Sequence, residues 1–283
     1  VYVIGDLHGD VECARQWVKK TGVIQDSSST WKDPKARLVF MGDYLDKGVT
    51  SLQTVQFVKQ LTDDYPDYVT ALLGNHELEL LRDRTHSIWD GGKAGYHQLS
   101  FGAVHPSDYL NYLESVSEAD ELAVDALYNA SHQVYARNLH RSIYVVPDPS
   151  YQKSILHLIS ENLRGLVAER LRVFQKAYLD KFRSGTDLGT WLEQRPVIAF
   201  IDGTIFVHGG WKPELVRSID HLPETKDHVN AINQFFREHS NEAKLADFLE
   251  SSTGRYIYSL LTYRGNHKEC PLLLPKNVSR LVV

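Results

Sequence analysis

The chain has 283 residues, of which 42% are hydrophobic and 24% are charged, and its formal net charge is −5. We predict a single globular domain over residues 1–283, since this length can bury a sizeable core. The acidic balance argues against bulk nucleic acid as a partner, and no apolar run approaches the length of a membrane span. Two cysteines, Cys13 and Cys270, exclude a disulfide framework and favour a reducing, intracellular compartment, whose identity stays open.

Strands and helices alternate over residues 1–85, which predicts βαβ units and a mostly parallel sheet. Buried strands are predicted at Tyr2–Ile4, Ala36–Met41 and Val69–Leu73. The first helix is predicted to begin after Asp10, and Thr50 or Ser51 caps the second. Residues 25–35 are rich in serine, aspartate and proline and are predicted to form a loop. The face of the first helix predicted to be buried carries Val11, Ala14, Trp17 and Val18.

Residues 86–195 interrupt this alternation, with helical periodicity clearest from Tyr151 to Phe182. We predict a helical insertion that covers one rim of the site formed by the strand ends. Beyond it, two apolar runs flank Asp202-Gly203, a strong signal for a two-residue hairpin. The remaining predicted elements are helices near residues 224–239 and 242–251, an extended segment at Tyr256–Tyr263 and a strand beginning at Ser279.

Four predicted strands end in glycine next to aspartate, asparagine or histidine. Polar residues just past the ends of buried strands lie where open α/β sheets bind their ligands. Oxygen and imidazole nitrogen donors suit metal ions, and glycine lets the backbone approach an ion closely. The four segments therefore predict a metal site; they are Gly5-Asp6-Leu7-His8-Gly9, Gly42-Asp43-Tyr44-Leu45-Asp46-Lys47-Gly48, Gly74-Asn75-His76-Glu77 and His208-Gly209-Gly210.

In this order, the four motifs resemble those of the calcineurin-like metallophosphoesterase superfamily. Together with the later Tyr263-Arg264-Gly265, they most resemble the phosphoprotein phosphatase branch, and within it the Shewanella-like protein phosphatases. The resemblance covers nearly the whole chain but is specific only at the motifs. It implies an α/β sandwich of two central mixed sheets flanked by helices, and a site for two divalent or trivalent metal ions (Mn, Fe or Zn).

The resemblance also implies a set of metal ligands. Asp43 corresponds to the family's bridging carboxylate, in which each oxygen takes one ion. Asp6 and His8 would complete the first ion's ligands, while Asn75 and His208 would hold the second.

The same resemblance implies roles for five further residues. His76 corresponds to the catalytic histidine, which acts as a general acid toward the departing oxygen. Asp46 would accept a hydrogen bond from His76 and orient its ring. Arg264 matches an arginine that grips the substrate phosphate, and Tyr263 beside it would line the site. Lys47 would also contact phosphate, although this branch usually has arginine at that position, which can form two hydrogen bonds where lysine cannot.

The family uses one more metal-binding histidine, in a Gly-His pair after a C-terminal strand. The chain stops at Val283 on an apolar strand, so we expect a truncated C-terminus and a natural continuation that begins with this pair. His267, in Gly265-Asn266-His267, is the alternative ligand within the sequence.

The leading functional hypothesis is a dinuclear metal-dependent phosphatase that hydrolyses phosphomonoesters, with phosphoserine or phosphothreonine in proteins as its substrate. Its partner would be a phosphorylated protein or a small phosphoester. Lys47 motivates an alternative, a nucleotide-polyphosphate hydrolase of the diadenosine tetraphosphate type, although Asp46 favours a phosphomonoesterase. A phosphate-binding pseudoenzyme is the third hypothesis.

Overall fold

A computed structural model of the chain describes residues 1–25, 30–84, 103–138, 156–211, 225–264 and 278–283. Strands and helices alternate in its first part, as predicted. The elements are β1 (Tyr2–Ile4), α1 (Val11–Thr21), β2 (Ile24–Gln25), β3 (Thr30–Trp31), β4 (Leu38–Phe40), α2 (Ser51–Asp64), β5 (Val69–Ala71) and α3 (Asn75–Asp83).

The second part is helical around one hairpin. It contains a 3-10 helix (Pro106–Tyr112), α4 (Glu118–Asn138), α5 (Glu161–Lys181), α6 (Asp187–Glu193), β6 (Ile198–Ile201), β7 (Thr204–Val207), α7 (Thr225–His239), α8 (Leu245–Glu250), α9 (Ser252–Thr262) and β8 (Arg280–Val282). The described residues between 103 and 195 are thus mainly helical, although their status as an insertion stays a prediction. The start of the predicted Tyr151–Phe182 stripe, and His267, lie outside the described residues.

The first sheet has the strand order β1-β4-β5, and all three described strands are parallel. Ile4 pairs with Phe40 and Phe40 with Ala71, so the carboxyl ends of the three strands lie level. α1 and α2 pack beside each other and against this sheet. The level ends bring together the three loops that carry the predicted ligands.

The second sheet has the order β6-β7-β8 and mixes an antiparallel with a parallel pair. The predicted hairpin is confirmed: Ile201 pairs with Thr204, and Asp202 and Gly203 both have positive φ, as a type I′ turn requires. A buried cluster from both sheets joins their faces, as in a sandwich. It contains Val39, Met41, Leu72, Ala199 and Phe206.

The helices predicted at α1, α7 and α8 are confirmed. Asp10 caps α1, as predicted, because its carboxylate accepts a hydrogen bond from the Cys13 N–H at 2.8 Å. Trp17 was placed on the buried face of α1, and this is wrong. Its side chain is 50% exposed and stacks under the Lys20 ammonium, 4.3 Å from the ring centroid. The Ser-, Asp- and Pro-rich loop also differs, because β2 and β3 pair as a short antiparallel ladder within it.

The prediction of an extended segment at Tyr256–Tyr263 is also wrong, because all of these residues except the last belong to α9, which ends at Thr262. Aromatic and aliphatic residues of this kind favour strands, which explains the prediction. The burial has helical spacing instead, with Ile257, Leu260 and Leu261 buried. Ser251 caps the helix by accepting a hydrogen bond from the Gly254 N–H at 3.0 Å.

A buried arginine joins the end of α3 to later parts of the chain. Arg84 is 1% exposed, donates to the carbonyls of Phe182 at 2.5 Å and Ser240 at 3.0 Å, and pairs with Glu193. In return, Arg183 donates to the Arg84 carbonyl at 2.6 Å. This network anchors the helix whose first residues carry Asn75 and His76.

Arg84→Met should therefore lower the free energy of unfolding by about 1–3 kcal/mol, because the carbonyls of Phe182 and Ser240 lose a buried donor and the partly buried Glu193 carboxylate loses its cation. Chemical denaturation measures this difference. The matched control is Arg255→Met, because Arg255 is paired with Glu250 at 3.3 Å on the surface with its side chain 71% exposed, and it should change stability little. Equal effects of the two changes would contradict the anchoring role of Arg84.

Candidate metal centre

The loop after β1 is attached to the loop after β4 through the backbone. The N–H groups of Leu7 and His8 both donate to the Asp43 carbonyl, at 3.0 and 2.9 Å, and the Gly9 N–H donates to the Tyr44 carbonyl at 2.8 Å. These bonds continue the parallel pairing beyond the strand ends. They place the side chains of the first loop beside that of Asp43.

The loop after β4 passes very close to the N-terminus of α3. Gly42 has φ 104°, and a Cβ there would lie 2.5 Å from the Gly74 nitrogen, so only glycine fits. Asp43, Asp46 and Lys47 also have positive φ, at 54°, 69° and 63°. Such conformations are unfavourable for residues with a side chain and persist only where the surroundings hold them.

Glu77 holds this loop. Its Oε2 accepts hydrogen bonds from the N–H groups of Asp43 at 2.8 Å and Gly74 at 2.9 Å. Its Oε1 accepts from Tyr44 at 2.8 Å and Leu45 at 3.2 Å. The carboxylate is fully buried, and burial together with the nearby Asp43 charge raises the pKa of Glu77 to about 7. Glu77 is not among the predicted site residues, although its position in the first turn of α3, three residues after Gly74, is a capping signal.

The Asp43 carboxylate lies at the centre, buried, with its oxygens facing different imidazoles. Oδ1 is 3.4 Å from Nε2 of His208, whereas Oδ2 is 3.8 Å from Nε2 of His8 and 3.7 Å from Nε2 of His76. Burial opposes its ionisation, but the hydrogen bond and charge of His208 and the charge of His76 hold the pKa of Asp43 below its ordinary value. The two oxygens of this one carboxylate therefore face two different sets of imidazole nitrogens.

Within the described residues, two groups have donor atoms within 4.8 Å of one another: His8, Asp43 and His76, and Asp6, Asp43 and His208. Both contain Asp43. Asp6 also lies beside His8, with 3.6 Å between Oδ2 and Nε2, and Asn75 Oδ1 is 3.0 Å from His208 Nε2. All five residues predicted as ligands thus lie together, although the grouping differs from the predicted one by placing His76 with His8 and Asp6 with His208.

Backbone carbonyls orient two of the imidazoles. His8 Nδ1 donates to the Leu45 carbonyl at 3.1 Å, and His208 Nδ1 donates to the Met41 carbonyl at 3.0 Å. In each ring Nε2 consequently faces Asp43. Metal-binding histidines in proteins are oriented in the same way, by a hydrogen bond from the other ring nitrogen.

His76 and Asp46 form a hydrogen-bonded pair beside Asp43. His76 Nδ1 donates to Asp46 Oδ2 at 2.7 Å, and the His76 backbone N–H donates to Asp43 Oδ1 at 3.1 Å. Burial lowers the pKa of His76, but the hydrogen bond to Asp46 and the charges of Asp46 and Asp43 outweigh it and raise that pKa to about 9. The ring therefore favours its protonated form.

Two cations border the centre. Lys47 Nζ lies 2.7 Å from His8 Nε2, and Arg264 donates from Nη2 to Asn75 Oδ1 at 3.2 Å. Arg264 follows the last turn of α9, with Tyr263 between them at the end of the helix. Both positive side chains are thus placed where an anion at the centre would meet them.

A model of the calcineurin-like phosphoesterase family matches residues 1–268. The chain belongs to this family. Its fold matches a cold-active protein-tyrosine phosphatase of a psychrophilic Shewanella species with a TM-score of 0.50 and 18% identity, over 96% of this chain and 58% of that one. A mutant of a cold-active protein tyrosine phosphatase matches with a TM-score of 0.51 and 20% identity, over 94% and 57%. These likenesses concern the fold alone.

Relatives with higher identity match over a shorter stretch. The catalytic subunit of serine/threonine-protein phosphatase 6 from Caenorhabditis elegans is 38% identical over 77 residues, and Shewanella-like protein phosphatase 2 from Arabidopsis thaliana is 37% identical over 78 residues. The matches cover 27% and 26% of this chain and 20% of each relative. They support the predicted phosphoprotein phosphatase branch, and family membership supports phosphoester hydrolysis as the reaction class. No helix among the described residues is long and apolar enough to cross a bilayer.

The donor set of this calcineurin-like chain fits two metal ions. Family members generally use a dinuclear site, and here Asp43 presents one oxygen to each side. Carboxylate and amide oxygens with imidazole nitrogens suit Mn, Fe and Zn. The position of Asp43 between the two groups depends on Glu77, because Glu77 accepts a hydrogen bond from the backbone N–H of Asp43.

Glu77→Gln tests this dependence, because an amide can accept at only one of its two ends. Two of the four backbone N–H groups would then face a donor, and each buried donor without a partner costs about 1–3 kcal/mol. We expect lower stability in denaturation and weaker metal binding in calorimetry. Glu79→Gln, two residues beyond Glu77 and therefore on the opposite side of α3 from it, is the control and should retain metal binding. Unchanged metal affinity in Glu77→Gln would contradict the positioning role.

Proposed function

We propose that the chain is a metal-dependent phosphomonoesterase that acts on phosphoserine or phosphothreonine in proteins. The observation that carries this proposal is the Asp43 carboxylate, whose oxygens face His208 on one side and His8 and His76 on the other. A shared carboxylate with donors on both sides is what a two-metal phosphoesterase requires. The named relatives, a serine/threonine phosphatase and a Shewanella-like phosphatase, support the substrate class.

In this proposal Asp6, His8 and Asp43 hold one ion, and Asp43, Asn75 and His208 hold the other. Two bound ions, as Mn, Fe or Zn, supply activation of water and neutralisation of phosphate charge. The remaining steps fall to the side chains that surround them.

Arg264 binds two phosphate oxygens through its planar guanidinium, while Lys47 adds a second positive charge. Both lie on the border of the centre, against Asn75 and His8 respectively. The substrate phosphate would replace these contacts with its own oxygens. The attraction between the phosphate and these two cations therefore places the ester oxygen relative to His76.

His76 donates its Nε2 proton to the departing oxygen. Its Nδ1 is engaged by Asp46 at 2.7 Å, so Nε2 is the nitrogen that faces the centre. The raised pKa keeps a proton on the ring for this transfer. The same Nε2 could instead serve as a metal ligand with His8 and Asp43, and the two roles predict different results on substitution.

The substrate class is tested with metal-loaded protein on a phosphoserine peptide, a phosphotyrosine peptide and diadenosine tetraphosphate. We expect the phosphoserine peptide to be hydrolysed fastest, and Asp43→Asn to remove most of this activity because both ions lose a bridging charge. Preference for diadenosine tetraphosphate would favour the nucleotide-polyphosphate hydrolase. Binding of phosphate with no hydrolysis of any substrate would favour the pseudoenzyme.

His76→Ala should lower turnover of the phosphoserine peptide by about 10²–10⁴-fold, the usual range for loss of a general acid, while both ions stay bound. Aryl phosphates should be affected much less, because their leaving groups need little protonation. Elemental analysis of the variant distinguishes the two roles of Nε2. Loss of one ion in His76→Ala would identify His76 as a ligand.

A further inference from the structure

A tyrosine of α5 reaches the far side of the Asp46–His76 pair. The Tyr178 hydroxyl donates to Asp46 Oδ1 at 3.4 Å, and 132 residues separate the two in sequence. His76 occupies the other oxygen of the same carboxylate, Oδ2, at 2.7 Å. The two oxygens of Asp46 therefore each have a different partner, one from α3 and one from α5.

Further hydrogen bonds hold the backbone at and next to Asp46. Its N–H donates to Ser51 Oγ at 3.1 Å, and the Ser51 N–H donates to Asp108 Oδ1 at 3.0 Å. The next N–H, that of Lys47, donates to the Ala103 carbonyl at 2.8 Å. Ala103 and Asp108 thus hold Lys47 and Ser51, the two residues that flank and support Asp46 in its left-handed conformation.

The Tyr178 ring has little freedom to move. It is 0% exposed and forms edge contacts with Tyr112 at 4.9 Å, Phe182 at 5.6 Å and Tyr109 at 6.2 Å between ring centroids. Such packing sets the direction of the hydroxyl group, which points to Asp46. A carboxylate group rotates easily about its terminal bond, so a fixed donor on one oxygen determines where the other oxygen points.

We propose that Tyr178 is a positioning residue for the reaction: it holds the Asp46 carboxylate in the rotation that directs Oδ2 to His76 Nδ1. This inference rests on the proposed function, in which His76 is the general acid. Without the hydroxyl, Asp46 Oδ1 loses a buried donor and the carboxylate can turn away. The imidazole would then no longer be held toward the departing oxygen.

Tyr178→Phe keeps the ring and removes only the hydroxyl, so it separates positioning from packing. We expect turnover of a phosphoserine peptide to fall about tenfold, as when other supporting partners of active-site groups are lost, with little change in KM. Hydrolysis of an aryl phosphate should fall by less than about twofold, because proton donation limits it less. The control Tyr109→Phe removes another buried hydroxyl of the same aromatic cluster and should leave both rates unchanged.

A double-mutant cycle adds a second criterion. Because Tyr178 acts through Asp46, Tyr178→Phe should cause no further loss in an Asp46→Asn background. Independent losses in the double variant, or equal losses on both substrates, would overturn the proposal.

Proton NMR gives a readout that does not depend on activity. The Nδ1 proton of His76 should give a low-field resonance that His76→Ala removes. This resonance should broaden or shift in Tyr178→Phe and stay unchanged in Tyr109→Phe. An unchanged resonance in Tyr178→Phe overturns the positioning role, whereas absence of hydrolysis in the unsubstituted protein counts against the proposed function and leaves the NMR test valid.

Discussion

The centre depends on the four hydrogen bonds that the Glu77 carboxylate accepts from backbone N–H groups. Three of these groups belong to the loop after β4, and the fourth belongs to Gly74 at the start of α3. The loop carries Asp43 at φ 54°, an unfavourable conformation that would relax without such bonds. Since α3 begins with Asn75 and His76, one buried carboxylate sets the relative positions of Asp43, Asn75 and His76.

Much of the site could be predicted because its information is local. Each ligand lies within a few residues of a strand end, and parallel strands in register bring those ends level, as Ile4, Phe40 and Ala71 show. Neither step needs knowledge of distant contacts. The hairpin at Asp202-Gly203 was predictable for the same reason, because its turn type is determined by two adjacent residues.

The parts that could not be predicted depend on distant or competing interactions. Tyr178 lies 132 residues from Asp46, and nothing in the sequence around it indicates that contact. α9 has a strand-like composition, and only its packing through Ile257, Leu260 and Leu261 shows that it is a helix. The grouping of the candidate metal ligands could not be predicted either. Asn75 and His76 are adjacent in sequence, but their side chains contact His208 and Asp46 respectively, on different sides of Asp43.

His208 links the centre to the packing of the whole sandwich. It follows β7 in the second sheet, yet its Nδ1 donates to the Met41 carbonyl at the end of a first-sheet strand. Met41 itself lies in the apolar cluster between the sheets, with Val39 and Phe206. The position of His208 Nε2 beside Asp43 therefore requires the two sheets to be packed. A ligand that binds only the assembled centre stabilises the folded state by mass action. Binding of a metal ion at this centre would consequently be coupled to sheet packing, without any contact between the ion and the apolar cluster.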